Sequence, residues 1–167
     1  MTPELHRPVP ADQIASQGEE MIVEASAAEC AALALRFGLP EVVSLRCRFR
    51  LSPASGGAVA ALGHLRARVV QVCVVTLEPF EALVEERFSV RFVPEGTETD
   101  LIDPEAEDEI PYANGILDLG EASAEQLALA LDPYPRKSPD SLPSGEGEHA
   151  PHTTRPFAQL SERLRRH

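Results

Sequence analysis

The stretch "SLRCRFRL", residues Ser44 to Leu51, alternates strictly between apolar and basic side chains. One face of this stretch is apolar and consists of Leu45, Cys47, Phe49 and Leu51. The other face is basic and consists of Arg46, Arg48 and Arg50. A two-residue period is typical of a β-strand with one face in the core and the other in water. The stretch therefore predicts a half-buried strand that presents three arginines to solvent.

Two further runs show the same alternation. In the run Ala58–Val75, Arg66 and Arg68 point away from the predicted core, and Gly63 is expected to mark a bulge or bend. The inward positions of this run are Leu65, Ala67 and Val69. The inward positions of the third run are Phe80, Ala82, Val84, Phe88, Val90 and Phe92. The turn sequences "SPASGG" and "TLEP" separate the three runs, which predicts an antiparallel meander with one wet face.

Helical patterns lie on both sides of this meander. "EMIVEAS" reads as a short strand, and Ser26 with Glu29 has the spacing of a capping box for a helix that ends at Gly38. After the meander, "ILDLGEASAEQLALALD" carries an apolar stripe on an acidic helix. The predicted fold class is α+β, an antiparallel sheet packed against two or three helices.

The predicted domain is single and spans residues 20–135, after a flexible N-terminal segment 1–19. Six of the fifteen prolines fall between Pro133 and Pro156, which predicts a flexible, Pro-rich, disordered linker over 136–155. A short helix is predicted over 156–167. Its apolar residues have helical spacing and are candidate partner-binding residues: Phe157, Leu160 and Leu164.

Charge is distributed unevenly along the chain. The net charge is −12, and the segment from Pro94 to Asp132 holds twelve acidic residues and no Lys or Arg. Between Glu41 and Val75, by contrast, five arginines stand against one glutamate. The acidic stretch "PEGTETDLIDPEAEDEIPY" has neither a strand nor a helix period and is expected to form a loop or a mobile excursion.

No apolar run is long enough to cross a bilayer, and the N-terminus lacks the pattern of a secretion signal, so we expect a cytoplasmic protein without membrane contact. The three cysteines, Cys30, Cys47 and Cys73, are widely spaced, which argues against a disulfide framework and for free thiols. The oligomeric state is left open by the sequence.

The cysteines also give no sign of catalysis or metal binding. Strand parity places Cys73 on the inward face, where a thiol fills the core and is inert. No local C-x-x-C pair exists for zinc, and the H-x-x-H spacing of His149 and His152 falls in the predicted linker. "EAEDE" lacks the pattern of a calcium loop. We therefore predict no catalytic residue, no metal site and no cofactor.

The arginines allow two interpretations. They would share one side of two neighbouring strands if those strands pair in register, and they are Arg46, Arg48, Arg50, Arg66 and Arg68. In the first interpretation this is an ordinary solvated face, partly neutralised by Glu81, Glu85 or the acidic helix. In the second it is a surface that contacts the phosphates of structured RNA, since guanidinium groups suit phosphate geometry.

Three further stretches occur in the order typical of a known family: "VVQVCVVTLEPFEALVEERFSVRFVP", the acidic stretch leading into "ILDLGEASAEQLALALDPYPRK", and the terminal "RPFAQLSERLRR". In this order the chain, over Leu45 to Arg166, resembles the YceD family, the large ribosomal RNA subunit accumulation proteins of bacteria and plastids. Many relatives carry a C-x-x-C pair just before the P-F turn. Here Cys73 matches the first position, Thr76 occupies the second and no cysteine follows, so no metal or redox role is carried over.

The resemblance implies a non-enzymatic factor that supports accumulation of large-subunit ribosomal RNA and therefore ribosome biogenesis. Our leading hypothesis is that it binds ribosomal RNA through the arginines. The alternative is an acidic protein–protein adaptor, in which the segment Glu95 to Asp132 attracts a basic ribosomal protein or another assembly protein and the C-terminal helix docks in a groove.

Overall fold

The computed structural model describes residues 2–100 and 104–138 and confirms the α+β class. The strands are β1 Pro8–Pro10, β2 Glu19–Glu24, β3 Glu41–Pro53, β4 Val59–Val72, β5 Pro79–Pro94, β6 Asp108–Tyr112 and β7 Ile116–Asp118. The helices are α1 Ala27–Phe37 and α2 Leu119–Ala130, and single 3₁₀ turns occur at Ala11–Gln13 and Ser55–Gly57.

The main sheet has five strands in the order β2-β3-β4-β5-β6. The predicted antiparallel meander is present in β3, β4 and β5, with β2 added antiparallel at one edge. At the other edge β6 pairs with β5 in parallel, so the sheet is mixed. The prediction of a loop for the acidic stretch is wrong over Asp108–Tyr112, because these residues satisfy the backbone groups of residues 90–94 of β5.

Strand alternation is confirmed along the meander: Leu45, Cys47, Phe49 and Leu51 are buried and the arginines between them are exposed. The expected bulge at Gly63 is wrong. Gly63 is paired in continuous register with Phe49 and Phe88, and the register shift of β3 lies instead between Val42 and Ser44. Gly63 serves packing, because a Cβ atom there would overlap the ring of Phe88, which meets Phe49 edge-on at 5.7 Å.

Both helices begin at a residue whose side chain caps the first turn. The capping box of Ser26 and Glu29 is formed, and Gly38 ends α1 in the left-handed conformation with φ of 64°. In α2, Asp118 accepts hydrogen bonds from the N–H groups of Gly120 and Glu121. Leu33 of α1 and Leu127 of α2 join the inward residues of the sheet in one buried cluster, so the two helices cover its inner side. We call the opposite, solvent-facing side of β2–β5 the outer face.

Residues assigned by the sequence analysis to a flexible N-terminal segment contribute to this core. Leu5 is fully buried, and Val9 and Ile14 are also buried. β1 pairs antiparallel with β7, and the carbonyl oxygen of Arg7 accepts the N–H of Leu119 at the start of α2 at 3.1 Å. A Cβ atom on Gly120 would lie 2.5 Å from the carbonyl oxygen of Leu5, so glycine permits this close approach.

The compact unit that contains the sheet ends at Lys137. Most of the predicted linker 136–155 and all of the predicted helix 156–167, with Phe157, Leu160 and Leu164, lie outside the described residues. Neither of the described helices is long and apolar enough to cross a membrane.

Candidate nucleic-acid interface

The structure brings all five predicted arginines together on the outer face, where we call them the arginine face: Arg46, Arg48, Arg50, Arg66 and Arg68. They arise from two alternating strands whose register places Arg46 directly opposite Arg66 and Ser44 opposite Arg68. Side chains that are directly opposite in a sheet have Cβ atoms about 5 Å apart. The segments 44–50 and 62–68 contain no acidic residue, so every charged side chain in this central strip of the sheet is basic.

One histidine that was not predicted as a site residue lies among these arginines. His64 lies opposite Arg48, two residues before Arg66 on the same face of β4. Arg46, Arg48, His64 and Arg66 together line a depression of about 250 Å³, which we call the basic depression. The signal for His64 was present in the sequence, because it has the same strand parity as Arg66 and Arg68.

Glutamates on the flanking strands pair with these cations. On the β2 side, Arg46 lies 3.3 Å from Glu24 and Arg48 lies 3.4 Å from Glu20. These two partners were not anticipated, since the register of β2 against β3 joins residues more than twenty positions apart.

On the β5 side, Arg68 lies 2.7 Å from Glu81, and Glu85 lies 2.7 Å from His64 and 3.8 Å from Arg66. The four paired arginines, Arg46, Arg48, Arg66 and Arg68, still keep 54–59% of their side-chain surface exposed. The outer face therefore consists of a basic strip between two partly acidic strands.

The electrostatics of this face favour exchange of partners. The hydrogen bond from His64, followed by the charges of Arg66 and Arg87, holds the pKa of Glu85 below its usual value despite partial desolvation. Exposed ion pairs of this kind contribute only about 0–1 kcal/mol each. Arg46 and Arg66 are like charges in directly opposite positions, which is destabilising. An external anion bound between them would relieve that repulsion.

The outer face is suited to phosphate rather than to base stacking. The four phenylalanines of β2–β5, Phe49, Phe80, Phe88 and Phe92, have the inward parity. The large apolar side chains exposed on this face are aliphatic: Ile22, Leu62, Val72 and Leu83. Stacking of successive bases uses a row of aromatic side chains, so these strands offer cation contacts to a backbone and no row of phenylalanine or tyrosine rings.

Comparison with known proteins places the chain in a family. The family model described as "Large ribosomal RNA subunit accumulation protein YceD" matches residues 61–162, which is more than half of the 167 residues. The chain belongs to the YceD family. Searches of the curated proteins and of the solved structures gave no match.

Membership in the YceD family supports a role in accumulation of large-subunit ribosomal RNA, and the description of the family names no enzymatic reaction. The matched region contains His64, Arg66 and Arg68 of β4, whereas the three arginines of β3 precede it.

Cys73 of this YceD chain is buried, as strand parity predicts, but not in the apolar core. It follows the end of β4 and is 2% exposed, and the hydrophobic cluster of the sheet and helices does not include it. Its Sγ accepts the backbone N–H of Lys137 at 3.4 Å and that of Thr76 at 3.5 Å. The N–H of Lys137 is the largest cause and the side chain of Thr76 is the next, and together with the N–H of Thr76 they lower the pKa of the Cys73 thiol to about 6.

This lowered pKa does not support the prediction that Cys73 is an inert thiol, and the other two cysteines differ from it. Burial raises the pKa of Cys47 to about 12 and also raises the pKa of Cys30. Within residues 2–100 and 104–138, no three or more His, Cys, Asp or Glu side chains are grouped closely enough to hold a metal ion. His149 and His152 lie outside the described residues.

Proposed function

We propose that this protein supports accumulation of large-subunit ribosomal RNA by binding that RNA through the arginine face. The observation that carries the proposal is the purely basic strip of β3 and β4, in which five arginines and His64 share one exposed face. Guanidinium groups bind phosphate oxygens in a planar, bidentate geometry, and RNA helices are recognised largely through phosphates and riboses.

The flanking glutamates do not prevent such binding. The arginine–glutamate contacts at 3.3–3.8 Å are half exposed, so replacing a carboxylate by a phosphate costs little. A phosphate contact adds a charge-assisted hydrogen bond and releases counterions from the RNA. The acidic remainder of a chain of net charge −12 repels polyanions that approach from other directions. We infer that RNA binds on one side and in restricted orientations.

The test combines binding with complementation. Arg48→Gln/Arg66→Gln removes two cations of the basic depression. The matched control Ala31→Glu/Ala128→Glu makes the same change in net charge at exposed positions on the helices. We expect the first variant to lower the affinity for a large-subunit RNA fragment. The slope of log K against log salt should become shallower by about 1.4–1.8, from two lost contacts at about 0.7–0.9 each.

In cells depleted of the protein, the control variant should restore the level of large-subunit RNA, and Arg48→Gln/Arg66→Gln should not. Circular dichroism and thermal melting establish that both variants are folded. Wild-type affinity and full rescue by the arginine variant would contradict the proposal, and so would unchanged large-subunit RNA after depletion.

A second candidate, the acidic adaptor, is favoured by the acidic residues between β5 and β6. All of the described ones are exposed, namely Glu95, Glu98, Asp100, Glu105 and Glu107, and so is Asp108 at the start of β6. A basic ribosomal protein or another assembly protein is the partner of this candidate, with Phe157, Leu160 and Leu164 as further proposed contacts. The adaptor predicts that Arg48→Gln/Arg66→Gln rescues fully, and that Glu95→Gln/Glu98→Gln does not.

A further inference from the structure

We infer that the basic depression is a subsite for one phosphate group and that Glu85 is a built-in competitor for that subsite. The inference rests on the proposed function, since it names where on the arginine face a phosphate binds and what it must displace.

The arrangement of the depression supports a single anion. Two cross-strand pairs, Arg46 with Arg66 and Arg48 with His64, form a square of four side chains. Its sides measure about 5 Å across the strands and about 6.6–6.8 Å along them. The volume of about 250 Å³ holds a phosphate group and several waters, because one water occupies about 30 Å³. Among residues 2–100 and 104–138, the side chains that line the depression are all cationic or imidazole groups, and the nearest carboxylates lie at its edges.

Glu85 reaches this square from its edge. It lies directly opposite Arg66 across the β4–β5 pairing. One carboxylate oxygen contacts Nε2 of His64 at 2.7 Å, and the other lies 3.8 Å from Nε of Arg66. The carboxylate thus offers two oxygens to two of the four lining residues, as two oxygens of a phosphate would. Glu20 and Glu24 approach only the far side of the square, at 3.4 and 3.3 Å.

A phosphate that enters the depression must therefore take the place of Glu85 at His64 and Arg66. Removing the carboxylate charge should tighten phosphate binding, whereas removing a nearby carboxylate outside the site should have little effect. Glu86 is the matched control, because it is the next residue along β5, is exposed, and has the opposite strand parity. Glu85→Gln and Glu86→Gln change the net charge equally.

The experiment titrates the full chain with inorganic phosphate at constant ionic strength and follows the ring resonances of His64 by NMR, assigned with His64→Gln. We expect Glu85→Gln to bind phosphate about three- to fivefold more tightly than wild type, and Glu86→Gln to stay within about 1.5-fold of wild type. Arg48→Gln/Arg66→Gln should lose the titration. The same four proteins are assayed for binding of the large-subunit RNA fragment.

The outcomes separate this inference from the proposed function. Equal tightening by Glu85→Gln and Glu86→Gln would overturn the inference, since only net charge would then matter. Absence of a phosphate-dependent shift at His64 in both wild type and Glu85→Gln would also overturn it, even if the arginines bind RNA. If phosphate binding tightens as expected while no variant binds RNA, the subsite stands and the proposed function fails.

Discussion

The two sides of the sheet use arginine in different ways. On the helix side, Arg7 makes a bidentate contact with Glu29 at 2.7 and 2.9 Å and also donates to the carbonyl oxygens of His6 and Glu24. On the outer face, the arginine–glutamate pairs that involve Arg46, Arg48 and Arg66 are single contacts at 3.3–3.8 Å. The residue type is the same on both sides, but the arginine–glutamate contacts differ in number and length.

This difference separates structural cations from available ones. The hydrogen bonds from Arg7, and then from the backbone of Ser26, lower the pKa of Glu29 to about 2. Arg36 bridges Glu4 and Glu121, which ties α1 to α2 and to the N-terminal segment. Because Arg7 and Arg36 already satisfy most of their donors, they are poor candidates for RNA contacts. On the arginine face, Arg68 donates from Nε and Nη2 to Glu81 at 2.7 Å, whereas Arg46, Arg48 and Arg66 retain donors that a phosphate can use.

Among the substitutions that test this difference between the two sides of the sheet, we expect the largest loss of stability from one on the helix side. Leu5→Ala should lower the free energy of unfolding by about 2–5 kcal/mol, because Leu5 is fully buried and its truncation leaves a cavity. Leu62→Ala is the control on the outer face, where Leu62 is 59% exposed, and should cost less than about 1 kcal/mol. Urea denaturation measures both. Equal stability of Leu5→Ala and wild type would mean that residues 1–19 form a flexible segment outside the domain.

A smaller effect is expected from the arginines themselves. Arg7→Gln should cost about 1–3 kcal/mol, since it removes charge-assisted hydrogen bonds and leaves Glu29 partly buried without its partner. Arg48→Gln should cost about 0–1 kcal/mol, because its pair with Glu20 is exposed and long. The same urea experiment compares the two variants. Equal losses would remove the distinction between structural and available arginines.

The sequence could predict those parts of the fold that local patterns encode. Alternation over "SLRCRFRL" and the two following runs identified the meander and the shared side of the arginines, because strand period and burial act on adjacent residues. The capping box of Ser26 and Glu29 is equally local. Such patterns involve residues that are close together in the chain, so a single sequence is enough to predict them.

Other features depend on distant partners and could not be predicted this way. β6 lies in an acidic segment that has no strand period. It forms because its backbone pairs in parallel with β5. Leu5 is buried because α2 carries Gly120 far along the chain. At the candidate site, the contacts of Glu20 and Glu24 required the register of β2, and Glu85 reached His64 only through the β4–β5 pairing. Of the carboxylates that pair with the arginine face, Glu81 and Glu85 were therefore predicted, whereas Glu20 and Glu24 were not.

The cysteines are all buried, but they differ in what surrounds the thiol. Cys47 packs on the inner side of the sheet and has a pKa raised by burial to about 12, whereas Cys73 accepts backbone N–H groups and has a pKa of about 6. The ultraviolet absorbance of thiolate should therefore rise near pH 6 in the wild type and not in Cys73→Ala. Cys47→Ala is the control and should leave this transition unchanged.

The same shift predicts how stability depends on pH. The pKa of Cys73 is lower in the folded protein than in the unfolded chain, where it is about 8.5, so the folded state favours the thiolate. Its contribution is complete above about pH 8.5 and is lost as the pH falls through about 6. Relative to Cys73→Ala, the wild type should therefore become more stable as the pH rises from about 6 to about 8.5. Urea denaturation at several pH values measures this difference. A gain on acidification instead would mean that Cys73 is held as a neutral thiol, as Cys47 is.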